Sequence, residues 1–120
     1  MDREELLNLR NEAMAKIESH RKVRFWLKAQ FHAAGEYCLE MKERVPGGWD
    51  RLNDLMVRFN SLCPQYEDRM KSDLAWLGKY PYFPKACAEL EMHIKAIEKV
   101  RQGMTDLWLD VKNALADRSL

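Results

Sequence analysis

Residues that interrupt helices and strands are confined to a few places in this chain, and that confinement decides most of what it can fold into. Gly and Pro gather at Pro46-Gly47-Gly48, at Pro64, and across Gly78 to Pro84 with Pro81 between them, while Gly35 and Gly103 stand alone. The chain therefore divides into stretches of roughly 2–45, 49–78 and 84–118. None carries the β-branched alternation of a strand. Start signals for helices sit where the division needs them: Asp2 with Glu5 reads as a capping box, Asp50 as an N-cap after the Pro-Gly-Gly turn, and Pro84 as the first residue of a last helix.

Apolar residues repeat with helical spacing in each stretch. In the last, Ala86, Leu90, Ile94, Ile97, Met104, Trp108, Val111 and Leu115 share one stripe. In the middle, Leu52, Leu55, Met56, Phe59 and Leu62 form one face and Tyr66, Met70, Leu74 and Leu77 another, as expected of a helix kinked or broken near Pro64. From Val23 the first stretch carries a seam of Leu27, Phe31, Ala34, Cys38, Met41 and Val45. At about 1.5 Å per residue the first helix would be ~65 Å long and the others ~45–50 Å, so the three cannot be flush. The expectation is an all-α single domain over 1–120, an elongated antiparallel bundle of three long helices. Either the N-terminal turns overhang the bundle, or the first stretch breaks and folds back as a fourth helix.

Two anomalies fall in that first stretch. Extended backwards, its seam meets Arg24, His20 and Lys16 before regaining Ala13, Leu9 and Leu6. Lys16, Arg21, Lys22, Arg24 and Lys28 stand against Glu18 alone, a local +4 in a chain of net charge +1. A bent or broken helix with its charges in water would explain this. So would a cationic site for phosphate or an acidic partner surface, or a paired, buried charge network. The second anomaly is surplus apolar surface. Leu7, Met14 and Phe25 lie opposite the seam, and Trp26, Ala29, Ala33 and Tyr37 cover a third direction. A helix apolar nearly all round is normally buried on several sides. A second copy of the chain is the expected cover, and a folded-back fourth helix is the alternative.

Other features bear on chemistry mainly by exclusion. The near balance of 20 Lys and Arg with 19 Asp and Glu gives no overall pull toward nucleic acid or an anionic membrane. No apolar run approaches the ~18 residues of a membrane span, and Met1 to Glu5 does not resemble a signal peptide. Three unpaired-looking cysteines, Cys38, Cys63 and Cys87, suit a reducing compartment, so a cytoplasmic protein is expected. Cys and His lie within helical patterns rather than on loops, and no glycine-rich phosphate loop is present. His32 with Glu36, and Glu89 with His93, are spaced to share a helix face, but they read as exposed surface pairs because metal sites want more ligands. No cofactor or metal is expected.

The loop from Lys79 to Lys85 sets Tyr80, Tyr82 and Phe83 among prolines and between two lysines, a combination that plugs a bundle end or serves as a partner hot spot. Long antiparallel helices with tryptophans on their seams resemble a spectrin-type repeat in architecture, which implies a fold and no function. The function expected from these residues is that of a non-enzymatic interaction protein, an adaptor, accessory subunit or inhibitor. It would self-associate as a homodimer and dock on a larger protein or protein–nucleic acid assembly, with Leu7, Met14, Phe25, Trp26, Tyr37, Tyr80, Tyr82 and Phe83 as contact residues. Lys16, Arg21, Lys22, Arg24 and Lys28 are expected to meet an anion or an acidic partner. The alternative is a nucleic-acid-binding helical protein using the same basic stretch.

Overall fold

In the computed structural model the chain forms α1 (Arg3–Lys42), α2 (Gly48–Gly78) and α3 (Pro84–Arg118). The structure describes residues 1–43 and 47–118, with side chains described as far as residue 113. Val45, Pro46 and the Leu115 side chain therefore lie outside the described residues. All three helix pairs are in contact, in a rod of 70 × 19 × 18 Å. Long-range bonds fix the directions. Lys16 near the start of α1 meets Asp73 near the end of α2, and Arg51 near the start of α2 meets Glu40 near the end of α1. Arg21 and Arg24 of α1 reach Glu89 and His93 in the first turns of α3. The topology is up-down-up.

Local chemistry explains the ends. Asp2 caps α1, its Oδ1 accepting the Glu5 amide N–H at 2.8 Å. At α2 the cap is Gly47 and not Asp50: Gly47 takes the left-handed conformation, φ 82° and ψ 0°, and Asp50 lies inside the first turn. Only glycine enters that region without steric cost, so the turn geometry rather than an acceptor side chain sets the start. Asp50 still places negative charge at the positive end of the helix. Pro84 opens α3 as its spacing predicts, and the Cys87 amide closes the first turn on the Phe83 carbonyl at 3.0 Å.

Of the alternatives expected at two places, the breaks do not occur and the overhang does. α2 runs through Pro64 as one helix, and α1 runs through the cationic stretch as one helix of 40 residues, so there is no fourth helix among the described residues. The reason is visible in the buried positions. Ala13, His20, Leu27 and Ala34 on α1, Met56, Cys63, Met70 and Leu77 on α2, and Leu90, Ile97, Met104 and Val111 on α3 are all buried and recur every seventh residue. A sustained seven-residue repeat keeps one seam facing its partners over the whole rod and implies a left-handed supercoil. In the register set by the interhelical bonds, Leu27 stands level with Cys63 and Ile97, and Ala34 with Met56 and Met104. His20 occupies one place in this column without breaking it.

α1 and α3 are staggered along the rod: with Leu27 level with Ile97, Pro84 stands level with Met14, so the first turns of α1 project past the start of α3. Leu6 and Leu7 are exposed there, while Ala13 and Ile17, about two and three turns further on, are buried.

Candidate docking site

Beside the overhang lies a trough of about 650 Å³, walled by α1 on one side and by the first turns of α3 with the preceding loop on the other. Its apolar lining comes from Ala13, Met14 and Ile17 of α1, and from Tyr82, Phe83, Pro84 and Ala86. A recess of about 370 Å³ continues it toward the N-terminus, between Leu6 and Leu7 on one side and the same Tyr82 and Phe83 on the other. Leu7, Met14, Tyr82 and Phe83, flagged from distant parts of the sequence, thus border one continuous surface. Leu7 is 47% exposed, Met14 59% and Tyr82 53%.

The other flagged aromatics sit elsewhere. Trp26 is half-buried, stacked on Phe59 at 6.1 Å and edge-on to Tyr66 at 5.7 Å. Tyr37 is half-buried beneath the Arg51 guanidinium, 5.8 Å from its ring. Tyr80 is half-buried between Trp76 and Phe83, at 5.3 and 6.1 Å. Phe25, 79% exposed, lies one turn beyond Arg21 on the outer side of α1.

A layer of paired charges crosses the bundle at the level of His20 and His93. His20 is 3% exposed and its Nε2 bonds Asp73 Oδ2 at 2.6 Å. Lys16 reaches the other oxygen of Asp73 at 3.5 Å and lies over the Trp76 ring. His93 is 4% exposed, with Nε2 on Glu89 Oε2 at 3.1 Å and Nδ1 facing Arg24 Nη1 at 3.4 Å. A guanidinium can only donate, so Nδ1 must accept, and Nε2 carries the proton that goes to Glu89. The expectation that Glu89 and His93 form an exposed surface pair is therefore corrected: α1 covers them. His32 and Glu36 do form an exposed pair, at 3.2 Å.

Arg21 lies on the trough wall and grips Glu89 through Nε and Nη2 at 2.7–3.2 Å. That grip raises the Arg21 pKa further and, with the His93 bond, holds the Glu89 carboxyl below the usual carboxylate range against the opposing effect of burial. Lys22, Arg24 and Lys28 are exposed. Of the five cations flagged in the sequence, Lys16 and Arg21 are thus bonded to carboxylates of other helices, and the stretch faces several directions.

Arg3, Arg10 and Lys85 also border the trough and its recess; Lys85 is one of the two lysines that flank the aromatic loop in the sequence, whereas Arg3 and Arg10 carry no role in the sequence reading. The spacing signal was there for two of them, since Arg3 and Arg10 share a seven-residue position with Ile17.

No Ser, Thr, Cys or His lines the trough among the described residues, and no group of three or more potential metal ligands occurs among them. None of the three free thiols is among the lining residues. Burial pushes Cys63 up to about 11 and raises Cys38 as well, which leaves both protonated and unreactive at neutral pH. No helix of the described residues is long and apolar enough to cross a membrane. Comparison with protein-family models, with curated proteins and with solved structures finds no match to this chain.

Proposed function

We propose that the chain is a non-enzymatic helical interaction protein, an adaptor, accessory subunit or inhibitor, that docks on a larger protein through the trough at its overhanging end. The observation that carries this reading is the convergence of Leu7, Met14, Tyr82 and Phe83 on one open apolar surface. Apolar patches left uncovered at the end of an otherwise well-packed rod suit protein contact, and aromatic side chains are enriched among residues that anchor interfaces. Self-association belongs to the same reading and is assigned to the exposed Phe25, one turn beyond the trough wall at Arg21. Nucleic-acid binding through the basic stretch is less well supported, because Lys16 and Arg21 already neutralise Asp73 and Glu89.

Light scattering coupled to gel filtration tests the self-association arm. A dimer mass that Phe25→Asp returns to the monomer is expected, and a wild-type monomer at every concentration would remove self-association from the reading. Alanine at Met14, Phe25 and Tyr82 that left both oligomeric mass and partner capture unchanged would overturn the reading as a whole. A mixed-sequence DNA duplex at low ionic strength is expected to show no salt-sensitive binding.

A further inference from the structure

The charges around the trough are unequal. Arg3, Arg10, Arg21 and Lys85 border it against two carboxylates, Glu18 and Glu89. Both carboxylates are already held by Arg21, Glu89 at 2.7 Å and Glu18 at 3.4 Å. Among the described residues Arg3, Arg10 and Lys85 make no ion pair. The trough thus joins an apolar floor to a rim whose free charges are positive.

Its shape selects a helix. The floor runs alongside α1 from Arg3 to Arg21, about 27 Å of helix axis or five turns, in the furrow between α1 and the start of α3 where a fourth helix of a bundle would pack. Charge argues against a second copy laying its own overhang there. In a two-fold antiparallel helix pair each flank meets the same flank of its mate, so Arg3 and Arg10, seven residues apart on one side of α1, would face their own duplicates.

We infer that the occupant of the trough is an amphipathic helix of a different protein, with an apolar stripe against Met14, Ile17 and Phe83 and acidic side chains against Arg3, Arg10 and Lys85. This deepens the docking reading above and rests on it. The recognition mode is an apolar helix face laid in a groove, with rim charges setting specificity and the rate of encounter.

The test uses the full chain and two fluorescently labelled 20-residue helical peptides with the same leucine stripe, one flanked by Glu and one by Lys, followed by fluorescence anisotropy at two salt concentrations. The Glu peptide is expected to bind about tenfold more tightly at low salt, with the margin shrinking as salt rises. Arg10→Glu with Lys85→Glu should reverse the preference, and Met14→Asp should abolish binding of both peptides. All three positions are exposed, and circular dichroism checks that the variants keep their helix content. Equal binding of the two peptides, lost in Met14→Asp, would overturn the acidic partner and leave docking standing. Binding of neither peptide, or binding indifferent to Met14→Asp, would overturn the docking reading itself. Dimerisation abolished by Leu7→Asp and Met14→Asp would make a second copy the occupant and overturn the inference.

Discussion

His20 stands in an apolar column between Ala13 and Leu27 because one carboxylate, from a residue 53 positions away, meets it there. Every buried side-chain polar atom among the described residues has a partner, so the layer adds specificity of register without an orphaned group. Removing the acceptor inverts that. Asp73→Ala leaves a buried imidazole N–H and the Lys16 ammonium without their acceptor. It is expected to cost about 1–3 kcal/mol, seen as a lower urea midpoint at unchanged slope, whereas Asp73→Asn, which keeps an oxygen in place, should cost less. The neighbouring carboxylates set an acid limit. Arg21 holds Glu89 below its ordinary pKa. Glu67 is likewise lowered, where burial alone would raise it but Lys71 and Arg101 hydrogen bonds prevail. A depressed folded-state value contributes stability above the unfolded value, about 4.3 for Glu, and that contribution is lost as pH falls through the folded value. Urea titrations are therefore expected to show stability falling below about pH 5, and the double variant Glu67→Gln with Glu89→Gln should be weaker at neutral pH with a flatter acid limb. An acid limb as steep in the double variant as in the wild type would assign acid sensitivity to other carboxylates.

At the scale of the helices, glycine positions separate backbone need from accident. Gly47 supplies the left-handed turn before α2, and Gly103 lets the Phe31 ring lie against α3, where a Cβ would come within 2.9 Å of it. Gly35, in the interior of α1, meets nothing within 4 Å of an added Cβ. Gly35→Ala is therefore expected to stabilise the bundle by about 0.5–1 kcal/mol, and a loss of stability there would reveal a contact to that face from outside the chain. The helices themselves were readable from Gly, Pro and cap residues, since those act locally: Asp2 and Pro84 start helices where the sequence places them. What was not readable was the outcome of competition at a distance. A run of cations on a seam looks like a break when only its own helix is considered. Asp73 and Glu89, which neutralise it, are 57 and 68 residues from their partners Lys16 and Arg21, and only the register of three helices brings them there. Pro64 is the reverse case: it lacks one amide N–H, yet α2 continues because its buried face on either side, Phe59, Cys63 and Met70, stays on the seam.

For the molecule as a whole, the stagger of α1 against α3 produces the overhang that the functional reading rests on. Leu7, Met14, Tyr82 and Phe83 each stand out in the sequence, but their meeting depends on how far α1 overshoots α3, which no local pattern encodes. The overshoot also predicts a gradient of stability along one continuous helix. From Ala13 onward, opening α1 exposes buried core, so its amides open only with the bundle. In the first turns the amide hydrogen bonds are backed by the Asp2 cap and by little tertiary packing, and an isolated helix of fewer than about 12 residues is marginal in water. Amide hydrogen exchange is therefore expected to be fast at Leu6 to Asn11 and to slow steeply by Ile17, reaching the global value near Leu27. A covering helix in the trough adds packing to those first turns, so binding of the acidic peptide should extend protection back toward Leu6 and leave Leu27 unchanged. If Leu7 and Leu27 were equally protected in the free protein, the overhang would already be covered, which would place a second copy on it and displace the foreign helix from the account.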